Sequence, residues 1–176
     1  MHLRLTRKLI HTVCLLGCLV AAPPALASEP AAGLSSAEQA GYLAGLKRLY
    51  LSQDERQALL LHSNALLTTY ALRAGYQVGH AQPRDLLYQL RLGAPGELIL
   101  REEIRGQGSD MAVRNQRIAL FGVDPFIRYD CPSSGISCVL YNPVDGSPLL
   151  TIVRDHQGAA ELAKALSFLI RKVQKD

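Results

Sequence analysis

Two closely spaced cysteines, Cys131 and Cys138, are the most informative chemical feature of this sequence. Six residues separate them, and an even pair in a chain that leaves the reducing cytoplasm predicts a structural disulfide closing a hairpin loop. A redox-active pair would instead have two intervening residues. A metal site would need further ligands, and no histidine lies between Phe121 and Asp155. We therefore expect a disulfide between Cys131 and Cys138, and we predict no metal site.

Three polar residues, His62, Asp130 and His156, are the weaker functional candidates. His62 belongs to a predicted helix, where it would act as a base or ligand, or else lie on a polar side facing solvent. Asp130 borders the cysteine pair and suits the end of a strand, and His156 follows Asp155, which suits a helix cap. The sequence contains no histidines spaced i and i+4, no Gly-rich phosphate loop and no G-x-S-x-G elbow. It therefore indicates no assembled catalytic set and no cofactor.

The first 27 residues have the pattern of an export signal. A basic start precedes an apolar run over residues 9–22, and small residues at the end form a cleavage site after Ala27. Residues 28–34 are mostly Ala, Pro and Gly, and they predict a flexible tether. We therefore expect a periplasmic or secreted chain with no transmembrane span after cleavage.

Two other processing routes remain open for the same segment. Cys18 follows Leu-Leu-Gly, which resembles the lipidation site of bacterial lipoproteins. Lipid attachment at Cys18 would anchor the chain to a membrane instead of releasing it. The apolar run could also persist as an uncleaved anchor, although it is shorter than the roughly 20 residues that a membrane span needs.

The charge balance changes once the predicted signal is removed. The whole sequence has 19 basic and 15 acidic residues, and Arg4, Arg7 and Lys8 lie in the signal. Sixteen basic and 15 acidic residues then remain, with no basic run. This near neutrality argues against a nucleic-acid partner, because such partners select clustered positive charge.

We predict that residues 35–176 form a single domain. Its first part shows helical periodicity. Ser35 and Ser52 each precede a glutamate by three residues, so each predicts a capping box at a helix start. Gly75 is placed to end the second helix. Residues 83–105 are ambiguous: Pro83 favours a first helical turn, whereas alternating leucines suit a strand. The helical interpretation is preferred for residues 83–93.

A period of two begins near Asp110 and predicts an antiparallel meander of about five short strands. Asp155 is then expected to cap an amphipathic C-terminal helix that packs on the sheet, the alternative being a helix on a membrane surface. Helices, strands and a final helix together predict an α+β fold. The expected strands are 111–114 and 117–121, paired across Asn115-Gln116, followed by 126–130, 137–141 and 149–154.

These features favour a small exported, non-catalytic binding or accessory protein. Its partner would be another envelope protein or a cell-wall component. The alternative is a hydrolase-like envelope enzyme that uses His62, Asp130 or His156. Convergence of two of these side chains in a deep pocket would favour the enzyme, whereas a concave apolar surface would favour binding.

Overall fold

A computed structural model describes residues 36–175 as an α+β fold. The predicted signal peptide, the tether, Cys18 and the expected cap Ser35 lie outside the described residues. Two helices are followed by two antiparallel sheets of three strands each and by a final helix. The elements are α1 Ser36–Leu49, α2 Glu55–Thr69, a 3-10 turn Ala74–Tyr76, β1 Asp85–Leu92, β2 Glu97–Arg105, β3 Met111–Ala119, β4 Tyr129–Asp130, β5 Ser137–Tyr141, β6 Pro148–Val153 and α3 His156–Val173.

The predicted break between the first two helices occurs where Leu51 takes a positive φ of 50°. The expected capping box at Ser52 is wrong in detail, because Asp54 is the cap and accepts a hydrogen bond of 2.8 Å from the Arg56 backbone N–H. The Ser52 hydroxyl bonds instead to the backbone of Asp54. Helix α2 ends at Thr69, well before the predicted stop at Gly75.

The ambiguous region 83–105 forms two strands, so the preferred helix for residues 83–93 is wrong. The strand signal, an alternation of Leu86, Tyr88, Leu90 and Leu92, decides the structure. Each residue of β1 pairs with one residue of β2, and the alternation directs these four side chains to one face. Gly96, with φ +71°, turns β1 into β2.

Strand β3 is continuous from Met111 to Ala119, so the predicted hairpin across Asn115-Gln116 is wrong. Neither residue takes a positive φ, and both pair in register with β2. The turn lies earlier, where Gly108 has φ +69°. The first sheet therefore has the order β1-β2-β3.

The five-stranded meander is also wrong, because β4, β5 and β6 form a second sheet of their own. Residues 120–128 turn away from β3 at Gly122, with φ +75°, and only Tyr129–Asp130 of the expected strand 126–130 pairs with β5. The predicted disulfide between Cys131 and Cys138 is confirmed. It ties the end of β4 to β5, where Cys138 is buried opposite Ile152.

A short segment after α2, residues 70–72, lies between β6 and β1. Ala71 forms a β-bridge with Ile152 and Leu72 forms one with Leu86. The Val153 N–H donates to the Tyr70 carbonyl and the Leu86 N–H donates to the Leu72 carbonyl, each at 2.9 Å. Residues 70–72 thus join the two sheets by their backbones.

The final helix α3 begins as predicted at Asp155, whose carboxylate accepts a hydrogen bond of 2.7 Å from the Gly158 N–H. It packs against α2 and the second sheet, and its apolar side chains are almost fully covered. Its Ser167 hydroxyl accepts a hydrogen bond from the Ile127 N–H at 3.0 Å. Gly158 permits this packing, because a Cβ there would lie 2.5 Å from the Tyr70 ring. Within residues 36–175, none of the three α-helices has the length and hydrophobicity of a membrane span.

Candidate functional site

A polar cluster joins the three helices, and we call it the helix cluster. It consists of Tyr42 on α1, Tyr50 just after α1, His62 on α2, and Glu161 and Lys164 on α3. Two helical turns separate Tyr42 from Tyr50, so both side chains point to the same side of α1 and the residue that follows it. One turn separates Glu161 from Lys164, which places them on one face of α3. The fold therefore brings His62 into contact with groups far from it in sequence.

The Glu161 carboxylate is the centre of the helix cluster. Its Oε1 accepts a hydrogen bond of 2.7 Å from the Tyr42 hydroxyl and lies 3.1 Å from Nε2 of His62. Its Oε2 lies 2.5 Å from Nζ of Lys164. On the other side of the imidazole, Nδ1 of His62 lies 3.1 Å from the Tyr50 hydroxyl. Since a carboxylate only accepts hydrogen bonds, the proton between His62 and Glu161 belongs to Nε2; in the neutral imidazole Nδ1 then accepts from the Tyr50 hydroxyl.

Electrostatics stabilise the ionised form of Glu161. The hydrogen bond from His62, supported by Lys164 and Tyr42, lowers the pKa of Glu161 to about 2 against the opposing effect of burial. Burial and the contact with Glu161 raise the pKa of Tyr42, and burial raises the pKa of Tyr50. The cluster at neutral pH is therefore a carboxylate surrounded by donors.

The order Glu161–His62–Tyr50 resembles an acid, a base and a hydroxyl arranged to pass a proton. Two features oppose catalysis. The first is access: both ring nitrogens of His62 are hydrogen-bonded as in such a triad, but its side chain is only 13 % exposed between the rings of Tyr42 and Tyr50. The raised pKa of Tyr50 also disfavours a reactive phenolate. The geometry suits the joining of three helices better than attack on a substrate.

The other two weak candidates lie away from this cluster. Asp130 is an exposed residue of β4 opposite Val139, and His156 is an exposed residue at the start of α3. Among the described residues, no hydrogen bond or ion pair connects His62, Asp130 and His156. The structure thus assembles no shared pocket from the three side chains, and their functional roles remain hypotheses.

The polar side of α2 makes tertiary contacts that sequence reasoning missed. The Asn64 side chain donates to the Leu90 carbonyl at 3.0 Å and accepts from the Leu90 N–H at 2.7 Å, which fixes α2 to β1. Ser63 is fully buried, and its hydroxyl has no partner among the described residues. Thr68 and Thr69 bond back to carbonyls of their own helix.

A second candidate site is the solvent-facing side of the first sheet, formed by the odd-numbered residues of β1, β2 and β3. We call it the outer face. Even-numbered residues of these strands, such as Leu90, Leu100 and Ile118, point into the core. The outer face therefore consists of the alternate positions, where apolar side chains are interspersed with Arg91, Arg101, Arg105 and Arg117.

On the outer face the carboxylates of Glu97 and Glu103 are nearly covered, whereas the side chains of Arg105 and Arg117 are exposed. The Glu103 side chain is 8 % exposed between Arg101, at 2.6 Å, and Arg105. These two hydrogen bonds lower the pKa of Glu103. Glu97 is 17 % exposed, while its partner Arg117 is 77 % exposed. Each arginine has five N–H donors, so one ion pair leaves several of them directed to solvent.

Strand β3 is the edge of the first sheet and is exposed along most of its length. Residues 111–115 are exposed on both faces, with Met111 60 % and Val113 45 % exposed. The Leu120 N–H donates to the Gly96 carbonyl, so even-numbered residues of β3 direct their backbone groups toward β2. The odd-numbered N–H and C=O groups point away from the sheet, as on any open edge.

No group of three or more metal-binding side chains occurs within residues 36–175. The outer face was not anticipated from sequence, because residues 83–105 carried both a helical and a strand signal. Knowledge that this segment is a hairpin would have placed its arginines on one face. The chain matches no protein-family model, no curated protein and no solved structure.

Proposed function

We propose that this protein is a small exported, non-catalytic binding protein whose outer face recognises an acidic segment of another envelope protein. The observation that carries the proposal is the unequal exposure of charge on the outer face. Arg105 and Arg117 are 55 % and 77 % exposed, whereas the carboxylates that balance them are 8 % and 17 % exposed. A partner that approaches this face meets guanidinium donors before it meets any acid.

Guanidinium groups favour carboxylate partners because they form planar, two-point hydrogen bonds. Apolar residues lie between the arginines, among them the exposed Val113 and Met111. A bound partner would bury their apolar surface, which is exposed to water in the free protein. The open face of an antiparallel sheet suits another protein better than a small molecule, which prefers a concave pocket. The described part of the chain therefore favours a protein partner.

A hydrolase-like enzyme is the competing proposal, and it depends on His62. His62 could act on a substrate only through Tyr50, whose pKa burial raises, or after Tyr50 leaves Nδ1 of His62. The arrangement thus supports a structural role for His62 and leaves the outer face as the surface suited to recognition. Turnover in a hydrolase panel that disappears in His62→Gln, with folding retained, would reverse this preference.

Export itself has a direct test. We expect the protein recovered from the periplasm or medium to begin at Ser28, because Ala25-Leu26-Ala27 forms the cleavage site. Intact-mass spectrometry measures the new N-terminus. A mass that includes Cys18 with attached lipid would identify a lipoprotein, and a cytoplasmic, uncleaved chain would contradict export.

Binding through the outer face can be tested by site-specific photo-crosslinking. A photoreactive residue at Gln89, exposed on β1, is expected to capture an envelope protein, whereas the same residue at Gln57, exposed on α2, is not. In the Gln89 background, Arg117→Ala should lower the captured amount by about 5- to 10-fold, as expected for the loss of one charged hydrogen-bonding group.

Arg114→Ala is the matched control. Arg114 is adjacent in β3, is 70 % exposed and pairs with Glu102 of β2, yet its side chain lies on the opposite side of the sheet. Its replacement should leave capture nearly unchanged. Equal losses in both variants, equal capture from Gln57, or crosslinks to glycan strands instead of protein would refute the proposed partner class and surface.

A further inference from the structure

We infer that two copies of this chain associate by antiparallel pairing of their β3 strands about a two-fold axis at Asn115. The inference deepens the proposed function, because such pairing would merge two outer faces into one six-stranded surface. What the merged surface would bind rests on the proposed function. The evidence for self-pairing itself comes from β3 alone. The partner is a second copy of the same strand.

The open edge of β3 is suited to a strand partner. It offers nine consecutive residues with no proline, and its pairing with β2 continues without a bulge. Natural proteins protect edges with prolines, bulges, very short strands or charged side chains, and of these devices β3 has only its two arginines, Arg114 and Arg117. Its backbone donors and acceptors at the odd-numbered positions are directed outward, so they can form a further ladder.

The outward direction of the odd-numbered residues restricts how two β3 strands can pair. Odd-numbered residues must face odd-numbered residues to exchange hydrogen bonds, since the even-numbered backbone groups already bond to β2. Among symmetric registers, the axis at Asn115 pairs the whole of Met111–Ala119. A shift of the axis in either direction leaves residues at one end unpaired.

The same register avoids opposing like charges. Arg117 lies opposite the partner's Val113, and Arg114 lies opposite the partner's Gln116. An axis at residue 114 would set Arg114 against Arg114, and an axis at residue 117 would set Arg117 against Arg117, which destabilises cross-strand pairs. Asn115, at the axis, faces its own copy and can exchange amide hydrogen bonds.

Charge and apolar surface are complementary across this axis. The partner's Val113 pairs in register with the partner's Glu103, so Arg117 reaches toward a second carboxylate one strand beyond the interface. On the core side of the sheet, exposed Ala112 meets the partner's Ile118. In this isologous register the opposed pairs at 111/119 and 112/118 are apolar and those at 114/116 and 115/115 are polar, while Val113 opposite Arg117 is a mixed pair.

Cysteine substitution tests the register. The experiment uses the exported protein that begins at Ser28, in which Cys131 and Cys138 are the remaining cysteines and are bridged to each other. Asn115→Cys is expected to form a disulfide-linked dimer, because opposed residues of a hydrogen-bonded pair have Cα atoms about 5.5 Å apart. Val113→Cys and Arg117→Cys should crosslink when the two proteins are mixed and should not crosslink alone.

Proline substitution tests the edge without breaking the fold. Val113 directs its N–H outward, so Val113→Pro removes a donor for the second copy and none for β2. Sedimentation at about 100 µM should show a dimer for the unmodified chain and for Val113→Ala, and a monomer for Val113→Pro. Circular dichroism should be unchanged in both variants.

A monomer in the unmodified chain, or crosslinking of Arg117→Cys alone, would overturn the inferred dimer. This failure would be distinct from failure of the proposed function. Capture of an acidic envelope protein from Gln89 depends on the outer face and can occur with a monomer, whereas sedimentation and the cysteine pairs report only on β3.

Discussion

Replacing Cys131 with serine is expected to lower the free energy of unfolding by about 2.5 kcal/mol, the value for a closed loop of about eight residues. The bridge holds β4, which contributes only Tyr129–Asp130 to the second sheet. Buried Ile127, whose N–H donates to Ser167, still holds the start of this segment. Loss of the bridge should therefore loosen Tyr129–Asp130 and the loop that follows before the rest of the domain unfolds. Denaturant titration followed by circular dichroism measures the loss.

Cys138→Ser should lower stability by a similar amount or slightly more, because Cys138 is fully buried and the serine hydroxyl must be desolvated. The double variant should differ little from Cys138→Ser, since both thiols serve one bond. Thiol titration of the unmodified exported protein should detect no free sulfhydryl. Unchanged stability together with lost partner capture would instead indicate a redox role for the pair.

Glu161→Gln is expected to destabilise the protein by about 2 kcal/mol at neutral pH, the scale of a charged hydrogen-bond network that solvent partly reaches. The variant removes the negative charge that His62 and Lys164 share, while it keeps the size of the side chain. All three helices lose a common partner as a result. Thermal and denaturant unfolding would measure the effect.

The effect of Glu161 should depend on pH in a defined direction. Its pKa falls from 4.5 to about 2 on folding, so the stabilisation is complete above pH 4.5 and disappears as the pH falls through about 2. The difference in unfolding free energy between the unmodified chain and Glu161→Gln should therefore be constant near neutral pH. It should shrink in the acid range between these two values.

Glu55→Gln provides the control, because Glu55 forms an ion pair with a single lysine, Lys172. A single half-exposed pair of this kind contributes about 0–1 kcal/mol, so the variant should be nearly as stable as the unmodified chain. Equal effects of Glu55→Gln and Glu161→Gln would contradict the central position given to Glu161. Loss of a measured turnover in Glu161→Gln at unchanged stability would favour the enzyme.

Local signals in the sequence identified several features correctly. Asp155 caps α3 because a carboxylate before an apolar periodic segment satisfies the free N–H groups of the first turn. The pair Cys131–Cys138 is joined because two extended segments separated by a short loop lie side by side. Both inferences needed only neighbouring residues, so no knowledge of the tertiary arrangement was required.

Features that depend on distant residues were missed. His62 binds Glu161 across 99 positions of sequence, and no local spacing signals this contact. Residues 83–93 were misassigned because Pro83 is compatible with a helix start, whereas the deciding factor is the match of β1 with β2 and the bridge from Leu72. Asp54 caps α2 instead of Ser52 because its carboxylate reaches the Arg56 N–H. The spacing between a serine and a glutamate does not reveal this contact.

The position of residues 70–72 between β6 and β1 has a consequence for how the polypeptide acquires its native state. Ala71 forms its β-bridge with Ile152. Because synthesis starts at the N-terminus, Ile152 is made 81 residues after Ala71, and the bridge cannot form before then. Helix α1 and strand β1 contact α2 earlier, but the part of its apolar side that packs on α3 stays uncovered until α3 has been made. The nascent chain should therefore stay protease-sensitive, and in need of a holding chaperone, until almost its full length has appeared.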